Sequence, residues 1–320
     1  MKKYLIVGTG GTGGAVGAYL ARAGRDVDFI ARGENLAALK QRGLRVIKPT
    51  EGFTVYPVRA STLEDYDGTP DVIFVCVKGY SLGAVIPQLK RIAGRDAVII
   101  PILNIFGTGG MMQPEFPETL VTDGCIYVAA QLEAPGVLRM NGDILRVFFG
   151  VRRPEDFRED LREIAADLRD SGIEGGLSDN IARDALLKFS YVSPQGACGL
   201  YYGVPAGDIQ RPGEPRECFK ALIGEIDALA RAMGIDFGED IVKRNLDILS
   251  GLSPAAATSM QRDIAAGKPS EIDGLIGEVI RLAERYGVDV PEYRRVAAKV
   301  LGNSSEGRQT TVTEKQKPEP

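Results

Sequence analysis

Histidine is absent from all 320 residues. The usual general acid–base and the commonest metal ligand are both missing, so proton chemistry must run on lysine, a carboxylate, tyrosine or cysteine. No metal is expected. Cysteine is scarce: Cys76, Cys125, Cys198 and Cys218 lie far apart with no CxxC pair, which argues against a zinc site or a disulfide framework. Cys76, inside an apolar run, reads as a small buried hydrophobe, and a reducing compartment suits this usage. Charge of one sign is lacking too. Lys and Arg number 39 against 43 Asp and Glu, a net charge of -4, so neither nucleic acid nor an anionic membrane is indicated as partner. The apolar stretch after Met1-Lys2-Lys3 is too short for a signal-peptide core, and no later run reaches bilayer-spanning length without charge or glycine. A cytoplasmic, unanchored protein is expected.

What remains is ordinary globular composition, 44% hydrophobic and 26% charged. At roughly 100–200 residues per domain, the length suggests two domains. In the first half, strand and helix signals alternate. Tyr4–Val7, Asp26–Ala31, Asp71–Val77 and Ala97–Ile100 read as strands, with helices over Gly14–Ala23, Asn35–Arg42 and Leu82–Ile92. That rhythm implies an α/β fold with a Rossmann-type doubly wound parallel sheet. Cys125–Leu132, Val137–Met140 and Leu145–Phe149 then read as an antiparallel extension, broken by the turn dipeptides Pro135-Gly136 and Asn141-Gly142. A charged helix over Glu155–Asp170 and a last strand over Ile173–Leu177 follow. Beyond Ser178 the spacing is helical, as in Phe219, Leu222, Ile223, Ile226, Leu229 and in Ile272, Leu275, Ile276, Val279, Ile280. The expected domains are 1–178, a dinucleotide-binding Rossmann domain, and 179–302, an all-α domain, with a disordered tail over 303–320. The apolar helical faces suit either a shared core or a homodimer.

Gly8-Thr9-Gly10-Gly11-Thr12-Gly13 matches GxGxxG between the first strand and its helix. The first glycine permits the tight turn, the second close approach of a pyrophosphate, and the third helix–strand packing, while the helix N-terminus faces the anion. At the end of the second strand, Phe29-Ile30-Ala31-Arg32-Gly33 carries no acid for a ribose hydroxyl, and Asp28 comes too early. Arg32 suits a 2′-phosphate instead, which points to NADP(H). Lys78 and Asn104 follow later strands, at the edge where ligands bind in open α/β sheets. Pro101 should end regular pairing or form a bulge.

Ser178 and Asp179 read as caps of a helix from about Ile181 to Tyr191. On it, Lys188 shares a face with Ile181, Ala185, Phe189 and Val192. A lysine on an apolar face either snorkels to water or is desolvated, and desolvation lowers its pKa toward that of a useful acid. Further on, Ser270 and Asp273 resemble a capping arrangement, and Glu271 fits the helix dipole as well as a catalytic role.

Taken in order, GxGxxG, Arg32, Val77-Lys78-Gly79-Tyr80, Leu103-Asn104, Leu187-Lys188-Phe189 and Ser259-Met260…Asp263…Glu271-Ile272-Asp273 resemble the ketopantoate reductases (2-dehydropantoate 2-reductases) over residues 1–302. The resemblance implies NADPH-dependent reduction of a 2-oxo acid to a 2-hydroxy acid, a step toward pantothenate and coenzyme A. It implies Lys188 as proton donor, Glu271 orienting substrate or lysine, Ser259 on the substrate carboxylate, and Asn104 and Lys78 lining the cofactor side, Asn104 also touching substrate. Val192 and Gly196 stand where the family carries asparagines, and Asn104-Ile105 where it often has Asn-Gly. A related reductase of another small ketone fits the same residues. A non-catalytic NADP(H) sensor would need neither Lys188 nor Glu271.

Overall fold

The computed structural model describes residues 1–306. The chain divides into two compact units, Met1–Ala185 and Leu186 onward. In chain order the first contains β1 (Lys3–Val7), α1 (Gly11–Arg22), β2 (Asp26–Ile30), α2 (Gly33–Arg42), β3 (Leu44–Ile47), β4 (Phe53–Val55), β5 (Arg59–Ser61), β6 (Val72–Val75), α3 (Leu82–Ile92), β7 (Val98–Pro101), α4 (Thr108–Met112), β8 (Leu120–Val121), β9 (Asp123–Ala134), β10 (Val137–Gly150), α5 (Asp160–Asp170) and β11 (Glu174–Leu177).

Six strands form a parallel sheet in the order β5-β2-β1-β6-β7-β8. Its strands are apolar on both faces because both are covered. Tyr4 and Ile6 join Phe29, Phe74 and Ile100 in one core, whereas Leu5 and Val7 join Ile73, Val75, Ile99 and Leu89 of α3 in another. The period-2 alternation of β1 thus serves two layers. Pro101 is the last residue of β7, where a missing donor costs least.

The antiparallel strands do not extend this sheet by hydrogen bonding. They belong to a second sheet, β11-β10-β3-β4, with β9 paired to β10. Asn141-Gly142 is not a turn: β10 runs through it, with a register shift between Met140 and Leu145. A bulge absorbs the dipeptide. Between the two sheets lies α1, and its glycines serve the close approach on both sides. A Cβ on Gly17 would meet Phe29 and Ile6 of the first sheet, and one on Gly11 would strike the Ala130 carbonyl of the second.

The second unit is helical: α6 (Ile181–Tyr202, starting in the first unit), α7 (Ala206–Gln210), α8 (Glu214–Ala232), α9 (Ile241–Ser250), α10 (Ser259–Ala265), a π-helical turn Asp273–Gly277, α11 (Glu278–Tyr286) and α12 (Pro291–Glu306). The polar stretch 303–320, read above as a tail, begins inside α12; from 307 on it lies outside the described residues. The cap of α6 is Asn180, whose Oδ1 accepts from the Arg183 N–H at 3.1 Å, while Ser178 Oγ accepts from the Asn180 N–H at 3.0 Å. The helix also runs past Tyr191, through Pro194. Proline removes the donor for the Ser190 carbonyl. Asn245 of α9 supplies another, its Nδ2 lying 2.9 Å from that oxygen.

Candidate active site

At the C-terminal edge of the parallel sheet, neighbouring strands deliver the residues expected to bind the dinucleotide. Val7, Ile30, Val75 and Pro101 close β1, β2, β6 and β7, and they are in register, Val7 with Ile30 and Val75, and Val75 with Pro101. Arg32, the glycine loop, Lys78 and Asn104 follow these four ends within three residues and so line one edge. Gly8 has φ +101°, and a Cβ there would sit 3.1 Å from the Cys76 backbone and Val77. Only glycine suits that turn. On Gly13 a Cβ would collide with the Gly8 carbonyl, whereas on Gly10 it would meet nothing within 4 Å. Gly10 is itself the N-cap of α1, which has no side-chain cap and no acidic residue in its first turn. These residues therefore fit the diphosphate of a dinucleotide. Thr12, in that same first turn, completes the loop.

The loop is held from two sides. Thr9 N–H and Oγ1 both donate to the Ile30 carbonyl, at 3.1 and 2.9 Å. Asn35 donates Nδ2 to the Thr9 carbonyl at 2.9 Å and accepts from the Gly136 N–H at 2.8 Å, tying the loop to the β9–β10 turn. Sequence reasoning missed Asn35, since its second partner lies 101 residues away.

Arg32 occupies the N-cap position of α2 without a side-chain capping bond and is exposed, with no ion-pair partner among the described residues. Asp28 is taken up elsewhere: it is buried, 2.5 Å from Arg59 Nε, and accepts from the Tyr66 hydroxyl at 3.0 Å. Burial and the Asp28 charge push the Tyr66 hydroxyl well above its usual range, which keeps it a donor. Lys78 and Asn104 are both half-buried.

In the second unit Lys188 is 7% exposed and Glu271 6%. Both engage in polar or electrostatic contacts. Their segments are joined: Ser193 of α6 donates Oγ to the Leu275 carbonyl at 2.5 Å and lies 2.6 Å from the Tyr293 hydroxyl. That link falls five residues after Lys188 and four after Glu271. The Leu275 carbonyl lies inside the π turn, where the i→i−4 ladder is displaced. Asp273 does not cap with Ser270; it pairs with Arg281 Nη1 at 2.9 Å, and Arg281 Nε also holds Glu278 at 2.7 Å. The capping box lies earlier, where Thr258 Oγ1 accepts from the Gln261 N–H and Gln261 Oε1 from the Thr258 N–H. Ser259 thereby becomes the first residue of α10, half-buried and with no hydrogen-bond partner for its hydroxyl among the described residues. Close to it, Met260 Cε lies 2.6 Å from where a Gly196 Cβ would stand. Among the described residues no cluster of Cys, Asp and Glu could hold a metal ion, and no helix is long and apolar enough to cross a membrane.

Two family models match: Ketopantoate reductase PanE/ApbA over residues 4–154, and its C-terminal counterpart over 180–303. An uncharacterized oxidoreductase, YkpB of Bacillus subtilis, is 28% identical over 92% of this chain and 97% of its own. The 2-dehydropantoate 2-reductase of Aquifex aeolicus is 25% identical over 90% of this chain and 93% of its own. A crystal structure of 2-dehydropantoate 2-reductase from Porphyromonas gingivalis superposes with a TM-score of 0.78 at 29% identity, over 94% of this chain and 99% of that one. With both halves of the chain matched, it belongs to the ketopantoate reductase family of oxidoreductases.

Proposed function

We propose that this protein reduces a 2-oxo acid to the 2-hydroxy acid with NADPH, ketopantoate being the first candidate and pantoate its product. The observation that carries the reading is the burial of both Lys188 and Glu271 in one unit of a histidine-free chain. When bound, the reduced nicotinamide supplies the hydride. As the carbonyl becomes an alkoxide, the Lys188 ammonium stabilises the growing charge and gives its proton to that oxygen. Glu271 orients the ammonium or the substrate hydroxyl. The free Ser259 hydroxyl, at the start of α10, donates to the substrate carboxylate. Gly8, Thr9, Gly10, Gly11, Thr12 and Gly13 hold the diphosphate, Arg32 the 2′-phosphate, and Lys78 and Asn104 the nicotinamide side, Asn104 also reaching the substrate. On this reading the protein serves pantothenate synthesis in the cytoplasm.

A second reading keeps the chemistry and changes the substrate. Val192 is apolar one turn beyond Lys188, and Met260 fills the space that any side chain at 196 would need. An active site without polar groups there discriminates weakly in favour of a hydroxylated substrate. Steady-state NADPH oxidation with ketopantoate and a panel of other 2-oxo acids and small ketones tests both readings. Turnover of ketopantoate above the rest supports the first, and preference for an unhydroxylated substrate the second. No oxidation with any member overturns both.

A further inference from the structure

We propose that Asn245 is a positioning residue for Lys188, its side-chain amide replacing the backbone donor that Pro194 removes from α6. The inference rests on Lys188 being the proton donor. In an unbroken helix the N–H of residue 194 would bind the carbonyl of residue 190. Proline has no N–H, and its ring presses on that carbonyl, so helices kink where such a bond is lost. Here the break falls within two turns of Lys188.

Three contacts brace the Lys188 turn. Asn245 Nδ2 donates to the Ser190 carbonyl at 2.9 Å and contacts Ser190 Oγ at 3.0 Å. Ser190 Oγ in turn donates to the Leu187 carbonyl at 2.7 Å. A single amide thus braces the residue before Lys188 and the residue two beyond it. Asn245 and Ser190 are both fully buried, so water does not take over the bond. The amide orientation is set by chemistry, because a carbonyl only accepts and must face Nδ2. Asn245 Oδ1 is left with no partner among the described residues. An unpaired buried acceptor is costly, and the donor that Asn245 provides to α6 offsets that cost. Immediately before Pro194, Ser193 is anchored to Leu275 and Tyr293.

The test is a double-variant cycle in the full-length protein with Asn245→Leu, Pro194→Ala and both together. In Asn245→Leu, kcat for the 2-oxo acid should fall by about tenfold or more, since small misplacements of a reacting group are expensive, while KM and the NADPH Kd stay within about twofold. Pro194→Ala restores a backbone N–H, so the double variant should recover kcat to within about threefold of the parent. A parental kcat in Asn245→Leu, or a double variant no faster than it, would overturn the proposal. Should Asn245→Leu not fold, Pro194→Ala is compared with the double variant. Equal kcat supports the proposal, and a double variant that misfolds or stays tenfold slower overturns it. Lys188→Ala, assayed alongside, separates the two failures: full activity there removes the proton donor itself.

Discussion

Arg32→Ala should abolish most of the preference for NADPH over NADH. The guanidinium follows β2 by two residues, is exposed, and has no acidic partner to give up on binding a phosphate. A hydrogen bond to a charged group contributes about 1.5–3 kcal/mol, and solvent screening favours the lower half of that range at an exposed site. A loss of about 1.5–2 kcal/mol corresponds to a roughly 10- to 30-fold weaker NADPH Kd. NADH, which lacks the 2′-phosphate, should bind the variant and the parent alike. Asp28 cannot recover the ribose hydroxyls, because Arg59 and Tyr66 already occupy it. Cofactor fluorescence titrations of both proteins at one fixed ionic strength give the four constants needed. Raising salt should narrow the gap between the cofactors in the parent and leave the variant indifferent. Equal affinities in the parent, or an equal loss for both cofactors in the variant, would refute the assignment of Arg32.

The glycine loop separates packing from binding. Gly13→Ala should destabilise the protein by about 1–3 kcal/mol through overpacking against the Gly8 carbonyl. Gly10→Ala, whose methyl meets no protein atom within 4 Å, should melt like the parent but bind NADPH more weakly. Parental NADPH affinity in Gly10→Ala would mean the diphosphate does not approach there. Glu225 offers a pH test: its carboxylate accepts the N–H groups of Glu292 and Tyr293 at 2.6 and 2.9 Å, yet burial raises its pKa. The folded state then holds the proton longer than the unfolded chain. The stability contributed by that proton is complete below the ordinary carboxylate pKa and is lost as pH rises through the folded value. Melting curves from pH 4 to 8 should therefore show Glu225→Gln gaining on the parent as pH rises, and a gap that shrinks with pH would contradict this.

Much of the first unit was legible because its signals are local. The period-2 run of β1, the glycines of the loop and the strand-end positions of Arg32, Lys78 and Asn104 all follow from neighbours in sequence. The short strands β3, β4 and β5 escaped notice, each three or four residues long and sustained by pairing rather than by pattern. Asn141-Gly142 carried strong turn chemistry, but the pairing of β10 with β9 on both sides overrode it. In the second unit, the apolar face of α6 correctly put Lys188 among buried residues. Its length did not follow, because Pro194 reads as a stop unless the replacement donor, 55 residues after Ser190, is known. Asp273 similarly looked like a cap partner, while its actual partner, Arg281, lies eight residues on.

The central claim is that an ammonium group in the helical unit delivers the proton to the reduced carbonyl. Single-turnover oxidation of NADPH by Lys188→Ala, measured with the best 2-oxo acid of the panel, addresses it most directly. The chemical step should slow by about 10²–10⁴-fold, the range assigned to a general acid, with the NADPH Kd essentially unchanged. A step as fast as in the parent would contradict the account.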